Sequence, residues 1–419
     1  MNARYACGTA AHQLARRNFL GVLGGGMASL AAAPSLFAGL KQQRRRMLVV
    51  FLSGGVSQLE SWDPKPRTDT GGPFQSIPTA VPGMHISELL PKTAQHMDKL
   101  SLIRGINTNN GDHGKGKYQM TYGRNQMPGV DHPHLGAVCA RSLERSDNPL
   151  PGHIHIPAGG RGNNAAYLGP RYASTGVNGK PPANSQRVSS LTLKMDERRN
   201  DFRRRANDRF LSQRRTAETD AYTQSFEQAL GLMEKRDAFD VSQESEKDHI
   251  RYGRHDFGQH CLTARRMLEH DVPYVQVSHT NYDTHNENFN FHLEQLAEFD
   301  TPFTCLLTDL QERGMLESTL VVVMSEFGRT PRINPRYGRD HWGKAWSICL
   351  GGAGIQPGAI IGATNDNGTE VVDREVDHGH LFHTYLSALG VDSSSSFNIG
   401  GREQPLADPA YGPIDELLI

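Results

Sequence analysis

The chain has 419 residues, and its 45 basic and 45 acidic side chains balance to a formal net charge of zero. The N-terminal signal identified below contains three arginines and no acidic residue, so its removal leaves a slightly acidic protein. Such a charge argues against nucleic acid or an anionic membrane as the main partner. The remaining length is enough to bury a large core, in one α/β domain or in two closely joined lobes.

Residues 1–38 are predicted to be a twin-arginine signal peptide. Arg16 and Arg17 precede an apolar stretch, residues 20–36, which the run Gly24-Gly25-Gly26 interrupts, and a small-residue cleavage site follows at Ala38. This pattern is typical of export through the twin-arginine pathway. The stretch is short and glycine-rich for a membrane-spanning helix. We therefore expect a protein of the periplasm or cell surface, with no membrane span in the mature chain.

Cysteine usage gives no metal-binding pattern. Removal of the signal also removes Cys7 and leaves Cys139, Cys261, Cys305 and Cys349, which are far apart in the sequence. This spacing excludes a zinc finger. An oxidising compartment permits disulfides, but we expect these side chains to be mostly buried thiols.

A glycine-rich break follows the first predicted strand. Residues 39–46 form a basic tether, and the apolar residues 47–52 are predicted to be the strand, which breaks into Ser53-Gly54-Gly55. Glycine lets a backbone approach a ligand closely. The nearby carboxylate of Glu60 either lies within reach of such a ligand or is a solvated acid.

A second predicted strand, residues 100–103, leads to the pair Asp112-His113. These side chains either take part in chemistry, as metal ligand, base or support for a nucleophile, or cap the helix that follows them. The residues alone leave both alternatives open.

Residues of about 185–270 are predicted to form a charged helical insertion. Apolar residues recur there at helical spacing, as in Phe202, Ala206 and Phe210. The arginine runs in this segment are interpreted as a solvated helix face and not as a binding site for an acidic polymer. A further helix is predicted at about 291–313. Because it lies between two predicted strands, it indicates a crossover in a parallel sheet.

Three short polar stretches carry the strongest indication of function. Asp283 and His285 follow a predicted buried strand at residues 272–278, and Glu326 follows another at residues 319–324. The third stretch contains His341 and precedes an apolar strand at residues 345–350. In open α/β sheets, ligands gather outside the carboxyl ends of the strands.

We therefore predict that Asp283, His285 and His341 converge on one divalent metal, with Glu326 nearby. Carboxylate and imidazole groups are usual ligands of such ions. Neutral imidazole together with carboxylate favours zinc, manganese or iron over calcium, which prefers oxygen ligands alone. The alternative is a polar loop whose acids pair with the neighbouring arginines, Arg329 among them.

This residue pattern resembles the exported bacterial family called domain of unknown function 1501, which belongs with the alkaline phosphatase–sulfatase superfamily. The resemblance covers nearly the whole mature chain. Its marks are Gly-Gly-Val-Ser-Gln at 54–58, Asp-Pro-Lys-Pro at 63–66, Ile-Ser-Glu-Leu-Leu-Pro at 86–91, Asp-His at 112–113, Tyr-Gly-Arg at 122–124, Asp-Thr-His at 283–285, Gly-Met-Leu at 314–316, Ser-Thr-Leu-Val-Val at 318–322, Glu-Phe-Gly-Arg-Thr-Pro at 326–331 and Gly-Arg-Asp-His at 338–341.

The resemblance implies one alkaline phosphatase-like α/β domain over residues 47–419, with a mostly parallel central sheet flanked by helices. The superfamily places two metals beside a nucleophilic Ser, Thr or modified Cys. Asp283, His285 and His341 match the Asp, the nearby His and the distant His that hold one metal. The Asp-His pair that holds the second metal is replaced here by Glu326 and a phenylalanine, and the first strand ends in Ser53. The resemblance therefore leaves the second metal open.

The nucleophile of the superfamily, counted from Gly123-Arg124, falls on Asp112 and His113 in this chain. No Ser, Thr or Cys occupies either position. Three alternatives remain, namely direct attack by Asp112 or His113, attack by a metal-activated water, and loss of catalysis.

Two functions from different classes are consistent with these features. One is a metal-dependent hydrolase of phosphate or sulfate esters, acting on a small-molecule or glycan ester, with Arg329 as a clamp on the charge of the transferring group. The other is a non-catalytic binding or assembly protein built on the same scaffold. The candidate catalytic residues are Asp112, His113 and Arg329, and the candidate metal ligands are Asp283, His285, Glu326 and His341.

Overall fold

The computed structural model describes residues 44–145, 148–159, 164–183, 185–213 and 217–419. The predicted signal peptide, residues 1–38, and residues 39–43 of the predicted tether lie outside the described residues.

The strands are short and are distributed over the whole described chain. They are β1 Arg46–Leu52, β2 Ser76–Pro78, β3 His85–Ser87, β4 Leu100–Ile106, β5 His153–Ile156, β6 Thr175–Gly176, β7 Tyr274–His279, β8 Thr319–Met324, β9 Gly328–Arg329, β10 His341–Trp342, β11 Trp346–Gly352, β12 Ile360–Ile361, β13 Ala363–Thr364, β14 Val371–Asp373, β15 Ser396–Ile399 and β16 Arg402–Pro405.

The α-helices lie between these strands, singly or in succession. They are α1 Pro91–Ala94, α2 His113–Tyr122, α3 Leu135–Leu143, α4 Leu193–Gln213, α5 Ala217–Glu234, α6 Glu246–Tyr252, α7 Asp256–Glu269, α8 Asn288–Glu312 and α9 His378–Ala388. No helix in the described ranges is long and apolar enough to cross a membrane.

The central sheet has eight strands in the order β12-β4-β11-β8-β1-β7-β5-β6. The middle strand β1 is parallel to both of its neighbours, β7 and β8. Only β11 runs the opposite way, because it is antiparallel to β4 and to β8. This architecture confirms the predicted fold class, an α/β domain with a mostly parallel central sheet flanked by helices.

Strand β1 shows why the sheet is covered on both faces. All seven of its residues are buried. Leu48 and Val50 join one hydrophobic core, while Met47 and Val49 join the other, since successive side chains point to opposite faces of a sheet. Helices α7 and α8 contribute to the first core, and α3 and α9 contribute to the second. A continuous apolar run is what a strand buried on both faces requires.

The sheet topology brings several polar loops to one edge. The carboxyl ends of β1, β7 and β8 lie side by side because these strands are parallel and adjacent. The reversed direction of β11 places its amino-terminal end, which follows His341, at the same edge. The loops after β1, β7 and β8 and the loop before β11 therefore meet there.

The helical segment predicted at about 185–270 divides into two parts. Helices α4 and α5 are joined by surface ion pairs, in which Arg203 and Arg204 both contact Glu227. In contrast, α7 buries Phe257 and Leu262 in the main core. The last part of the predicted insertion is thus a core-covering helix, because its apolar residues face the sheet.

The cysteines of the described residues form no disulfide, and Cys139, Cys261 and Cys349 are buried while Cys305 is partly buried. This confirms the prediction of mostly buried thiols.

A buried ionic network connects α6, α7 and α8. Asp309 of α8 is fully buried, and its Oδ2 accepts hydrogen bonds from Arg251 (2.5 Å), Tyr252 (2.8 Å) and Arg265 (2.9 Å). The Arg265 side chain is only 2% exposed. Burial tends to raise the pKa of Asp309, but the bonds from Arg251, Arg265 and Tyr252 hold the pKa below its ordinary value of 3.8.

We expect Asp309→Asn to destabilise the fold by about 3 kcal/mol, because removing one partner of a buried pair leaves the other charge uncompensated. Asp237→Asn is the matched control, since that side chain is 84% exposed, and should change stability by less than about 0.5 kcal/mol. Chemical denaturation at neutral pH measures both changes. Equal losses of stability in Asp309→Asn and Asp237→Asn would contradict the role of Asp309 in the buried network.

The pH dependence of the Asp309→Asn difference follows from the lowered pKa. A carboxylate with a depressed folded-state pKa contributes stability above its unfolded value, and this contribution is lost as pH falls through the folded value. The difference in free energy of unfolding between Asp309→Asn and wild type should therefore shrink as pH falls below 3.8.

Candidate metal centre

Asp283, His285 and His341 meet at the loop-bearing edge of the sheet. The Nε2 atoms of His285 and His341 each lie 3.2 Å from Oδ1 of Asp283 and 3.0 Å from each other. Ligands of a tetrahedral ion with bonds of about 2 Å are separated by about 3.3 Å. The donor atoms therefore have the chemistry and the spacing of a three-ligand site for a divalent cation.

A glycine allows the strand ends to approach so closely. Gly54 follows β1 with φ +118, and a Cβ atom added there would lie 2.5 Å from the backbone nitrogen of Asp283. The Tyr282 amide donates to the carbonyl of Ser53, which joins the loops after β1 and β7. A larger residue at position 54 would displace the backbone that carries the Asp283 carboxylate.

The outer nitrogens of the two histidines are already bound. Nδ1 of His285 lies 2.7 Å from Asp340, and Nδ1 of His341 lies 2.7 Å from the carbonyl of Gly111. Donation from each Nδ1–H leaves a lone pair on each Nε2, as in histidines that ligate metals. Burial and the charge of Arg329 lower the pKa of His341, which favours its neutral form. Asp340 was not among the predicted site residues, although its place directly before His341 in the sequence could have indicated a role.

His113 begins α2 and lies between two carboxylates. Its Nδ1 is 2.8 Å from Oε1 of Glu326, and its Nε2 is 3.3 Å from Oδ2 of Asp283. The donor atoms of His113, Asp283 and His341 all lie within 4.8 Å of one another. If Nδ1 donates to Glu326, lone pairs of Nε2 and of Asp283 face each other, an arrangement that a cation or proton stabilises.

Glu326, a predicted metal ligand, is bound on the far side of His113. It is 3% exposed and accepts hydrogen bonds from the Gly54 amide (2.9 Å) and the Ser325 hydroxyl (3.0 Å). Glu326 reaches the Gly54 amide because it follows β8, whose carboxyl end lies directly beside that of β1. In this geometry Glu326 orients His113 and does not contact His285 or His341 within the described hydrogen bonds.

Asp112 has a structural role in this geometry. Its exposed carboxylate accepts a hydrogen bond from the Lys115 amide at 2.8 Å and so caps α2. That bond also lowers the pKa of Asp112. The two alternatives for Asp112-His113 therefore separate, with Asp112 as the helix cap and His113 in the cluster.

Arg329 differs from the predicted clamp on a transferring group. Its side chain is fully buried, with Nε 2.9 Å from the Gly55 carbonyl and Nη1 2.9 Å from the Arg339 carbonyl. Its Nη2 donates to the carbonyl of Gly54 and, at 2.5 Å, to Asp283. Burial tends to raise the pKa of Asp283, but Arg329 outweighs it and the pKa is lowered to about 2. Arg329 thus positions the Asp283 carboxylate through Oδ1, the oxygen that also faces His285 and His341, and keeps it ionised.

A second buried ion pair fixes the loop that carries His341. Arg339 and Glu60 are both fully buried, with Nη2 and Oε1 2.8 Å apart. Arg339 also donates to the carbonyls of Thr70 (2.7 Å) and Pro331 (2.5 Å). Glu60 is therefore neither solvated nor a direct ligand, because its carboxylate pairs with Arg339, which fixes the loop that carries His341.

A second group of histidines, which was not predicted from the sequence, is separate from the group around Asp283. Donor atoms of His134, His153 and His155 lie within 4.8 Å of one another. However, Nδ1 of His134 accepts the Gly136 amide at 2.9 Å as the cap of α3, so a neutral His134 carries its proton on Nε2. Of the two groups found among the described residues, the one around Asp283 offers converging lone pairs that fit a metal.

We expect His285→Ala and His341→Ala to lower metal content and melting temperature together, because a site formed only on folding links metal binding to stability. At a metal concentration about a hundredfold above Kd, the bound ion contributes about 2.7 kcal/mol. Elemental analysis and thermal melts with and without chelator measure both effects.

The exposed His85 provides the matched control, and His85→Ala should retain the metal. Unchanged metal content in both His285→Ala and His341→Ala would contradict this site.

Comparison with known proteins gives a family and several distant structures. The model of the family described as "Protein of unknown function (DUF1501)" matches residues 44–418. A comparison with curated proteins found no match. Among solved structures, the PsFucS1 sulfatase from Pseudoalteromonas sp. is similar, with 12% identity, a TM-score of 0.40, and coverage of 86% of this chain and 71% of that chain.

Two further similar structures come from other bacteria. The lipoteichoic acid synthase LtaP from Listeria monocytogenes has 7% identity and a TM-score of 0.41, with 87% of this chain and 75% of that chain covered. The C-terminal periplasmic domain of EcEptC from Escherichia coli, in a complex with Zn, has 11% identity and a TM-score of 0.41, with 83% and 82% covered. At this distance the chemistry of the chain is argued from its own residues. The family match spans nearly all the described residues, so the chain belongs to the DUF1501 family.

Proposed function

We propose that this chain is an exported, metal-dependent hydrolase of phosphate or sulfate esters. The observation that carries the proposal is the convergence of Asp283, His285 and His341, with His113 beside them, at the edge of the sheet. A divalent cation bound by the first three residues would supply Lewis acidity toward a phosphoryl or sulfuryl oxygen and toward water. Mixed nitrogen and oxygen ligands favour zinc, manganese or iron.

His113 is the proposed general base. Glu326 accepts a hydrogen bond from its Nδ1, which fixes the tautomer and leaves Nε2 with a lone pair on the side of Asp283. In the proposed reaction, water attacks the phosphorus or sulfur atom and its proton passes to Nε2 of His113. The buried Glu326 carboxylate stabilises the resulting imidazolium, and the bond to the ester oxygen breaks. The leaving alkoxide takes a proton from solvent to become the alcohol, and His113 returns its proton to solvent.

A second function is favoured by the residues at the start of α2. The helix begins with a capping aspartate and a histidine held between two carboxylates, so neither a hydroxyl nor a thiol occupies the expected position of a nucleophile. A protein that binds an anionic ligand through a metal without hydrolysing it would have the same ligand cluster. Catalytic measurements on matched variants of the helix start distinguish the two functions.

We expect the metal-loaded protein to hydrolyse a p-nitrophenyl phosphate or sulfate ester. His113→Gln should lower kcat by about 100- to 10,000-fold, the usual contribution of a positioned base, while retaining the metal. Asp112→Asn is the matched control, since asparagine also caps helices, and it should leave kcat within about twofold. Steady-state kinetics with zinc, manganese or iron on a phosphate monoester, a phosphate diester and a sulfate ester measure these effects.

A metal-loaded protein that hydrolyses none of these esters would support the binding function instead. Loss of activity in Asp112→Asn but not in His113→Gln would assign the chemistry to Asp112.

The export part of the proposal rests on residues outside the described range. We expect a variant with Arg16→Lys and Arg17→Lys to remain in the cytoplasm, because the twin-arginine pathway recognises that pair. Arg4→Lys is the control and should be exported normally. Cell fractionation with immunodetection measures the distribution, and normal export of the double variant would contradict the signal.

A further inference from the structure

A cavity of about 510 Å³ lies next to the metal centre, between α2 and the ends of β1, β5 and β7. Its wall includes Ser53, which directly precedes the Gly54 amide that binds Glu326, and Gly114, which directly follows His113. This volume is typical of a small-molecule site, about 300–1,000 Å³. The cavity therefore adjoins the proposed reaction centre without containing its metal ligands.

Buried histidines give one wall of the cavity a defined set of donors and acceptors. Burial lowers the pKa of His134 and His153 well below the ordinary value and that of His155 to about 4, so all three are neutral near pH 7. Nδ1 of His153 donates to the Tyr172 carbonyl (3.1 Å), so its Nε2 accepts from Nε2–H of His155 (3.0 Å).

Two of these histidines line the cavity with atoms that have no protein partner. Since Nδ1 of His134 accepts the Gly136 amide, its Nε2 carries a proton, while Nδ1 of His155 keeps a lone pair. Neither atom has a hydrogen-bond partner within the described part of the chain, although His134 is only 4% exposed. A nearly buried donor without a partner indicates a ligand or water in the cavity.

Further polar groups line the same space. Gln276 is 3% exposed and accepts the Tyr274 hydroxyl at its oxygen, which leaves its NH₂ group without a partner in the described residues. Ser278 and Asn164 add a hydroxyl and an amide to the lining, and Tyr118 adds an aromatic ring. Closely spaced neutral donors and acceptors beside an aromatic ring suit a ligand with several hydroxyl groups.

Lys117 makes this cavity cationic. It lies one helical turn beyond His113, and its Nζ is 5.6 Å from the centroid of the Phe51 ring. No aspartate or glutamate lines the cavity, and Lys117 has no ion-pair partner in the described part of the chain. A lysine without a counter-charge at the wall of a polar cavity favours an anionic ligand.

We propose that this cavity binds the ring of an anionic sugar, a hexose carrying a sulfate or phosphate group, with Lys117 pairing with that group. The proposal deepens the proposed function and rests on it for the assignment of the cavity to the substrate of the neighbouring metal centre. The histidine and glutamine groups bind the hydroxyls of the ring. A metal is the wrong ligand here because His134 presents N–H and not a lone pair.

Isothermal titration calorimetry on the exported full chain tests the ligand class with glucose 6-sulfate, glucose 6-phosphate, glucose, inorganic sulfate and inorganic phosphate. At least one sugar ester should bind more tightly than glucose and than either inorganic ion. Lys117→Gln should weaken that binding about tenfold, the loss expected for one charge-assisted hydrogen bond. Lys115→Gln is the matched control, because this exposed lysine of the same helix is not in the cavity lining.

A second variant changes the histidine wall and retains a capping group for α3. His134→Ser retains a helix-capping oxygen but removes the Nε2 donor, so it should weaken sugar binding about fivefold, as for one neutral hydrogen bond. Because the imidazole is buried against aromatic rings, a thermal melt establishes that the variant is folded at the temperature of the titration. Equal effects of Lys117→Gln and Lys115→Gln would overturn the proposal. Binding of both sugar esters no tighter than that of the inorganic ions would also overturn it.

The same titration in His341→Ala separates this proposal from the proposed function. Sugar binding that persists within about threefold in this variant, where one lost metal ligand should not reach the cavity groups, supports the cavity as a site of its own. If wild type binds the sugar ester through Lys117 but hydrolyses no ester, the hydrolase function fails and the sugar site stands.

Discussion

The arrangement of the candidate metal centre depends on one buried cation, Arg329. Its guanidinium is removed from solvent and donates to the carbonyls of Gly54 and Gly55 in the loop after β1, to the carbonyl of Arg339 in the loop before β11 and to the Asp283 carboxylate. A buried charge is costly unless it is paired and fully hydrogen-bonded. The loops after β1 and β7 and the loop before β11 can therefore complete the hydrogen bonds of Arg329 only in an arrangement that also brings Asp283 close to His285 and His341.

The buried pair of Arg339 and Glu60 extends this constraint to the loop that carries Asp340 and His341. Together the two arginines join segments that are far apart in the sequence, and most of their bonds go to backbone carbonyls. The ligand side chains thus project from backbone that is fixed by ionic contacts behind them. Such support from outside the ligand shell is what holds metal-binding groups in a defined orientation.

The sequence allowed the fold class and the meeting of Asp283, His285 and His341 to be predicted, because strand ends in a parallel sheet share one edge. His341 reaches that edge because β11 runs against its neighbours, which an apolar run alone does not reveal. The separation of Glu326 from the histidine pair and the burial of Arg329 depend on side-chain packing across the loops. The tautomer of His134 also could not be predicted, because it follows from the hydrogen bond by which Nδ1 caps α3. That tautomer is the reason why the group of His134, His153 and His155 does not fit a metal.

Asp283 uses its two carboxylate oxygens on different partners. Oδ1 faces His285 and His341, while Oδ2 faces His113. A cation bound on the first side would withdraw charge from the second and so weaken the contact between Oδ2 and His113. By reciprocity, a stronger contact between Oδ2 and His113 would weaken the binding of the cation by the same free energy. One carboxylate would therefore couple an ion at one oxygen to the placement of the imidazole at the other.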